Sequence, residues 1–311
     1  MQKCILKLSI RSEFHCHNLF SNFHLGKEEP PYDCNVTIRD QLDLANDLNL
    51  EALFVTNHNT LDGYSQMLKY KNEHNKFKNI QVYPAEEITT DTGAHVLAYG
   101  IHQEIPAGIT IEEIVDEIKK QGGVSSAPHP FSLVDALREK AKICDMIEVF
   151  NSNNIDVISN AKANQFALEN NMIKVSGSDS HVSSTLGRCV NVIESENTLD
   201  DILYAMKHNQ IKISNTGYTL PEETLDHIKF KINNSKDYIF DYVKEHHPNA
   251  VGLFSFLLKV YELDQDSYLW KVFYKFCLYF LKRISYKINY QNLDSNFMNE
   301  RNPLAIFTKA L

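Results

Sequence analysis

Strand-like runs that end in polar clusters recur along the first 220 residues of this chain and alternate with amphipathic segments. In "TIRDQLDLANDLNL" the apolar residues Ile38, Leu42 and Ala45 follow helical spacing, and the strand-like "EALFVTNHN" comes next and leaves His58 in a loop. Such alternation predicts repeated βα units, and a βα barrel gathers polar groups at the carboxyl edge of its strands. The sequence therefore predicts an α/β fold of this kind.

The segment "TIEEIVDEIKKQGG" predicts a helix with defined ends. Thr110 and Glu113 have the spacing of a capping box, and Gly122 ends the apolar stripe. A short strand, "GVSSA", follows, and His129 comes just after it. The same order recurs at "DMIEVFN" and "IKVSGSDSH", so we expect polar side chains from several strands to meet at one edge.

Charge and aromatic content divide the chain at about residue 220. Residues 1–220 carry 19 basic and 29 acidic side chains, whereas residues 221–311 carry 12 and 11, together with 18 of the 33 aromatic residues. The sequence therefore predicts a barrel over 1–220 and an aromatic-rich helical extension over 221–311. The net charge of −9 argues against a broad electrostatic grip on nucleic acid.

The extension contains two long apolar segments, "AVGLFSFLLKVYEL" and "YLWKVFYKFCLYFLKRISYKI", that are compatible with helices. They are predicted to pack on the barrel, on a protein partner or a second copy through residues 228–311, or on a membrane surface, and packing against protein is favoured. No apolar run approaches the roughly 20 residues that span a bilayer. The sequence therefore predicts no membrane span and a cytoplasmic location.

Histidines and carboxylates supply a candidate metal site. His15 and His17 in "EFHCHNLFSNFH" share one face of a strand, because side chains alternate along an extended chain. Nitrogen and carboxylate donors favour zinc, manganese or iron, and the six scattered cysteines show no thiolate spacing. Further candidates lie at or just after predicted strand ends: His58 in "TNHNT", Glu86 and Glu87 in "AEEIT", His95 in "GAHVLAYG", His129 in "APHPF", and Asp179 and His181 in "GSDSH".

The order of these motifs resembles the PHP (polymerase and histidinol phosphatase) superfamily of metal-dependent phosphoesterases over about residues 10–190. The resemblance implies a distorted (β/α)7 barrel that holds two or three divalent ions of Mn, Fe or Zn. It also implies that a metal-bound hydroxide hydrolyses a phosphoester. The substrate would be a small phosphorylated metabolite or nucleotide, or the end of a nucleic acid.

Carried over motif by motif, the resemblance implies a role for each ligand. His15, His17 and Asp179 would hold one metal, and Glu87 would bridge to a second metal bound by His95 and His129. His58 and His181 would hold a third. Glu87 is preferred to Glu86, whose opposite strand parity turns it away.

Three positions depart from the family pattern. Glu13 and Asn57 stand where aspartates are usual, and with Asn151 they are expected to lie just behind the ligands. From there Glu13, the longer carboxylate, is expected to orient His15, and Asn151 has no assigned role. Asn22 replaces an acidic ligand of the third metal, so Asn22 and His24 are the further candidate ligands, with a dinuclear enzyme as the alternative.

Arg188 in "TLGR" has two interpretations of equal weight: it binds the substrate phosphate, or it forms a structural salt bridge. The departures at Asn22 and Asn57 also motivate an alternative function, a metal-binding regulatory or interaction module with weakened catalysis.

Overall fold

The computed structural model describes residues 9–311 apart from 25–26, 29, 31 and 299–301, and for 23–24 and 27–28 it describes only the backbone. Nine strands form one sheet, and two further strands of two residues each pair with each other outside it. In chain order the strands are β1 (Ile10–Cys16), β2 (Phe23–His24), β3 (Lys27–Glu28), β4 (Ala52–Val55), β5 (Gln81–Thr89), β6 (His95–Tyr99), β7 (Val124–Ala127), β8 (Met146–Asn151), β9 (Ile173–Gly177), β10 (Val190–Ile193) and β11 (Ile211–Asn215).

Seven of these strands form a nearly closed barrel in the order β1-β4-β5-β6-β7-β8-β9. The chain that follows β9 pairs back onto the end of β1, where Asp179 N donates to His15 O at 2.7 Å and His17 N donates to Ser180 O at 3.0 Å. Strands β10 and β11 extend the sheet from β1 as antiparallel additions. The predicted α/β barrel is confirmed, with two strands added at its seam.

One strand of the barrel runs against the others, which is the distortion of the fold. β6 pairs antiparallel with both β5 and β7, whereas β1-β4-β5 and β7-β8-β9 pair in parallel. The connection from β5 to β6 contains Gly93 at φ +81°, and it is too short to hold a crossover helix. The beginning of β6 therefore lies at the same edge as the ends of the parallel strands.

Helices cover the outside of the barrel and form the carboxyl-terminal region. Side-chain caps start several of them: Thr37 Oγ1 accepts from Asp40 N, and Thr110 and Glu113 form the predicted capping box. The helices are α1 (Ile38–Asp47), α2 (Asp62–Glu73), α3 (Ile111–Lys120), α4 (Val157–Glu169), α5 (Leu199–Lys207), α6 (Pro221–His246), α7 (Val251–Leu263), α8 (Leu269–Tyr290) and α9 (Pro303–Ala310). Short 3₁₀ turns occur at Leu19–Asn22, Asn75–Phe77, Arg138–Ile143, Ser183–Thr185, Pro248–Ala250 and Asn296–Met298.

Aromatic side chains fill the barrel interior beneath its carboxyl edge. Phe14, Phe54 and Tyr99 are buried together, with ring centroids 5.1–5.7 Å apart. The register of β1 against β4 shifts between Glu13 and Cys16. This irregularity allows Phe14 to join the apolar core while the next residue, His15, faces the polar edge above it.

The carboxyl-terminal helices pack on the barrel mainly through α8, which contacts α4. Ile284 and Ile288 join a buried cluster with Leu133, and Ser285 Oγ donates to Asp156 Oδ1 at 2.9 Å. Asn289 Nδ2 donates to the backbone oxygen of the neighbouring barrel loop at 3.2 Å. The division at residue 220 stays a prediction, although α6 begins just after it, at Pro221.

None of the helices in the described part of the chain combines the length and the apolar content that a membrane crossing requires. The aromatic segments of the extension form α7 and α8, as the sequence predicts.

Candidate metal centre

The predicted ligands gather at the carboxyl edge of the barrel. His15 lies at the end of β1 and His17 just beyond it, and Glu87 lies in the second half of β5. His95 begins β6, and because β6 is antiparallel its first residue reaches the same edge. The loop after β9 adds Asp179, which the seam hydrogen bonds fix against β1.

The innermost ligand group is buried, and only Asp179 retains slight exposure, 11% of its side chain. One ligand atom each from His15, His17, Glu87 and Asp179 lies within 4.8 Å of the others. His17 Nε2 is 3.2 Å from Glu87 Oε2 and 3.3 Å from Asp179 Oδ1. Two imidazoles and two carboxylates with this spacing form a donor set that suits a divalent ion.

A second group shares Glu87 and faces outward. His58, Glu87 and His95 bring their ligand atoms within 4.8 Å of one another. His95 Nδ1 lies 3.0 Å from Glu87 Oε1, and His129 Nε2 lies 3.2 Å from the same oxygen. Both carboxylate oxygens of Glu87 therefore face histidines, which is the geometry that a bridging carboxylate requires.

The third group contains a residue that the sequence analysis missed, Asp33. Its carboxylate joins His17, His58 and His181, again with ligand atoms within 4.8 Å of each other. Asp33 Oδ2 is 3.4 Å from His181 Nε2 and 3.8 Å from His58 Nε2. Asp33 lies in a loop between β3 and α1, where no strand end marks it in the sequence.

Four buried side-chain atoms at the centre have no hydrogen-bond partner among the described residues. They are His17 Nε2, Asp33 Oδ2, His95 Nδ1 and His129 Nδ1. An unsatisfied polar atom in a protein interior is costly, so each such atom calls for an explanation. Three of them belong to the ligand groups, where a cation would satisfy them, so the residues present fit a metal centre.

Behind the ligands, Glu148 connects the inner group to the adjacent strand and loop. His15 Nδ1 lies 3.0 Å from Glu148 Oε1, which leaves His15 Nε2 to face the centre. Glu148 Oε2 accepts from His129 N and from Asn151 Nδ2, both at 2.8 Å. The sequence did carry a signal for Glu148, since it is the only charged residue in the apolar strand "MIEVFN".

The residues predicted to support the ligands make specific contacts. Asn57 Oδ1 accepts from Ser21 Oγ at 3.0 Å, and Ser21 Oγ lies 2.9 Å from His17 Nδ1, so Asn57 is linked to that ligand through Ser21. Glu13 Oε1 accepts from His15 N and Ser178 N across the barrel seam. Glu13 thus fixes the backbone of His15, while Glu148 contacts its ring.

One of the two further candidate ligands, Asn22, makes its hydrogen bonds elsewhere. Asn22 Oδ1 accepts from Asp33 N and Cys34 N, and its Nδ2 donates to Leu19 O and Cys34 O, so the amide is used to shape the loop that carries Asp33. The His24 side chain lies outside the described residues.

Arg188 forms a salt bridge with Glu223, as one of its two interpretations predicts. Its guanidinium donates to Glu223 Oε1 and to Tyr218 O, which connects the barrel to α6. These contacts favour the salt-bridge alternative that the sequence left open.

The carboxylates and imidazoles of the centre shift one another's pKa values. Burial lowers the pKa of His15, but the charges of Asp179, Glu87 and Glu148 outweigh it and hold that pKa well above its ordinary value. Burial acts to raise the pKa of Glu87, yet neighbouring imidazoles, His15 foremost, hold it well below the usual range. The buried carboxylate is therefore kept ionised, as a cation ligand must be.

Glu86, by contrast, faces away from the centre, as its strand parity predicts. Burial raises its pKa to about 8, and its Oε2 accepts from Ile105 N at 3.2 Å. Glu86 belongs to none of the ligand groups of the described residues.

Two residues of the centre have unusual backbones. Asp179 has φ +50° and His129 has φ +28°, and residues other than glycine seldom adopt positive φ values. Strained backbones of this kind concentrate at functional sites, where the surrounding structure enforces them.

An open cleft of about 280 Å³ lies over the ligand groups. Its lining includes the apolar side chains of Leu133, Val134 and Ile155, the amides of Asn153 and Asn154, and the carboxylates of Asp135 and Asp156. The described residues that line the cleft include no lysine or arginine. A substrate in this cleft would meet the ligand groups together with apolar, amide and further carboxylate side chains.

Comparison with known proteins connects the chain to one group of relatives. The profile of the PHP-associated family (PHP_C) matches residues 157–211. Uncharacterized protein MJ1587 of Methanocaldococcus jannaschii is 30% identical over 164 residues, which are 49% of this chain and 87% of that protein. Uncharacterized protein MJ0417 of the same organism is 28% identical over 170 residues, 51% of this chain and 65% of that protein.

Among solved structures, the fold matches a two-domain protein from Bacteroides vulgatus that contains a predicted PHP-like metal-dependent phosphoesterase. The TM-score is 0.53 and the sequence identity 16%, over 71% of this chain and 70% of that chain. At this identity the match shows a shared fold.

Proposed function

This chain belongs to the PHP superfamily, and on that premise we propose that it is a metal-dependent phosphoesterase. The observation that carries the proposal is the set of three overlapping groups of histidine and carboxylate ligands at the floor of an open cleft. A purely structural metal site needs only four ligands and closes around its ion. A larger ligand set under an open cleft suits catalysis better.

We propose that each group holds one divalent ion. His15, His17 and Asp179 would hold the first, His95 and His129 would hold the second with Glu87, which the first group shares, and His58, His181 and Asp33 would hold the third. In this proposal Asp33 takes the acidic position that the sequence analysis sought at Asn22.

The donor set favours zinc, manganese or iron, since it combines imidazole nitrogens with carboxylate oxygens. When bound, such ions lower the pKa of a water and neutralise the oxygens of a phosphate ester, which is the chemistry that hydrolysis needs. Among the protein's own groups, Glu148 and Ser21 hold the rings of His15 and His17 so that each Nε2 faces the centre. Asn151 Nδ2 donates to Asp179 Oδ2 at 3.2 Å and steadies that carboxylate.

We propose a small phosphorylated molecule as the substrate. The cleft is lined by Asp135 and Asp156 besides the ligands, and no lysine or arginine among its described lining residues would attract a long phosphate backbone. The amides of Asn153 and Asn154 can contact a polar leaving group. The alternative, the end of a nucleic acid, would show itself in binding that weakens strongly as salt increases.

The direct test is hydrolysis of p-nitrophenyl phosphate and of bis(p-nitrophenyl) phosphate with added Mn²⁺, Fe²⁺ or Zn²⁺. We expect metal-stimulated hydrolysis that falls at least about a hundredfold in Asp179→Asn, because loss of an outer partner of a ligand already lowers affinity or activity about 10- to 100-fold. The ratio of the two rates separates a monoesterase from a diesterase.

A matched control is His102→Ala, which removes an exposed histidine that belongs to none of the ligand groups. It should hydrolyse both esters at the wild-type rate. Equal hydrolysis by wild type and Asp179→Asn would contradict the proposal. Tight metal binding without turnover of any phosphoester would favour the alternative of a regulatory module.

A further inference from the structure

Helix α6 from the extension reaches the outer edge of the metal centre. His227 Nε2 donates to the backbone oxygen of Asp33, and the His227 and His181 ring centroids lie 5.6 Å apart. Further along α6, the ring of Tyr238 packs 5.2 Å from that of Tyr32. The segment that carries Asp33 is therefore held against α6 at two points.

Lys231 lies four residues after His227, so both side chains emerge on the same face of α6. Lys231 Nζ is 3.8 Å from Asp33 Oδ1, while Asp33 Oδ2 faces His58 and His181. The ammonium group thus lies beside the third ligand group, on the carboxylate oxygen that faces away from the histidines.

Two facts distinguish Lys231 from the other cations of the described residues. It is the only lysine or arginine among them that pairs with a carboxylate of the ligand groups. The 3.8 Å separation is longer than a hydrogen bond, and the side chain is 32% exposed, so its donors remain accessible. Arg188, the cation that the sequence singled out, is already engaged with Glu223 and Tyr218.

We propose that Lys231 binds the substrate phosphate, and that the helical extension thereby completes the active site of the barrel. The inference rests on the proposed function, because it assumes that metal ions hold a phosphate at the ligand groups. A phosphate bound at the Asp33 group comes within reach of this flexible ammonium, which binds phosphate as a point charge. Among the described residues, no other lysine or arginine pairs with a carboxylate of the ligand groups, and none lines the cleft.

The test uses inorganic phosphate as the probe and the full-length, Mn²⁺-loaded protein. Isothermal titration should show phosphate binding to wild type that weakens about tenfold or more in Lys231→Met, as expected for the loss of a charge-assisted contact. Lys231→Arg should restore most of the affinity because it keeps the charge. Manganese content per chain should be the same in all three proteins.

Lys236→Met is the matched control on the same helix, since Lys236 pairs with Glu262 at 2.8 Å and, among the described residues, with no carboxylate of the ligand groups. It should bind phosphate as wild type does. Equal phosphate affinity in wild type and Lys231→Met would overturn this inference alone. Loss of manganese in Lys231→Met would overturn it as well, by assigning the lysine to the support of Asp33. A wild type that binds neither manganese nor phosphate would overturn the proposed function together with it.

Discussion

The barrel and the helical region distribute polar and apolar side chains in opposite ways. At the barrel edge, His15, His17 and Glu87 are almost completely buried, whereas in the helical region Phe256 and Phe276 are 61% and 54% exposed. Burial of ionisable groups is unfavourable unless partners or ions compensate it. Extensive exposure of aromatic residues is equally unusual for a surface that contacts only water.

The two regions therefore differ in what their side chains do. The barrel buries a set of ionisable ligand residues at its carboxyl edge. Mutual contacts among these histidines and carboxylates offset the unfavourable free energy of burying them. The helical region uses a limited set of residues, Ile284 among them, to pack on the barrel and leaves much of its apolar surface outside. The predicted contact of residues 228–311 with a protein partner stays a prediction.

The largest expected effect concerns the attachment of the two regions. Ile284→Ala removes a fully buried side chain from the cluster that joins α8 to the barrel, and it should lower the free energy of unfolding by about 2–5 kcal/mol. Phe276→Ala, on the more exposed face of the same helix, loses the edge contact of its ring with Phe280 and should lower it by only about 0.5–1.5 kcal/mol. Urea denaturation of both variants measures the difference. Equal effects would mean that the exposed face is covered in solution.

Two glycine substitutions, one in each region, are expected to change stability in opposite directions. A Cβ at Gly177 would lie 2.0 Å from Glu148 Oε1 and 2.4 Å from His15 Cβ, so Gly177→Ala should destabilise the protein by about 1–3 kcal/mol and reduce its metal content. Gly252→Ala in α7 meets nothing within 4 Å and should stabilise by about 0.5–1 kcal/mol. Thermal unfolding gives the two signs. A neutral Gly177→Ala would contradict the close packing behind His15.

A smaller effect is expected from Glu148→Gln, which leaves the shape of the site intact. The carboxylate accepts from three groups, whereas the amide has one oxygen, so it cannot accept on the His15 side and the His129 side together. Metal affinity should fall about 10- to 100-fold. Competition with a fluorescent chelator measures this fall. Unchanged affinity would show that the orientation of His15 does not depend on Glu148.

Much of the barrel could be predicted from the sequence because local patterns determine it. The helix with the Thr110–Glu113 capping box forms as predicted, and the strand before each polar cluster forms as well. The antiparallel β6 was missed as a departure from βα repeats, although "TTDTG" left no room for a helix between two strands.

Asp33 is a candidate ligand that local sequence patterns could not predict. It belongs to no strand end, and its position depends on the path of an irregular loop that Asn22 shapes and α6 contacts. His227, which accounts for part of that contact, lies 194 residues away along the chain. Contacts between residues so far apart in the chain depend on tertiary packing, and local sequence periodicity does not predict them.

The central claim is that the buried histidines and carboxylates hold divalent metal ions. Elemental mass spectrometry of protein purified without chelator, for wild type and His15→Ala, tests it most directly. We expect two or three equivalents of manganese, iron or zinc per wild-type chain and fewer in the variant. One equivalent or none, unchanged in His15→Ala even after metal is added, would contradict it.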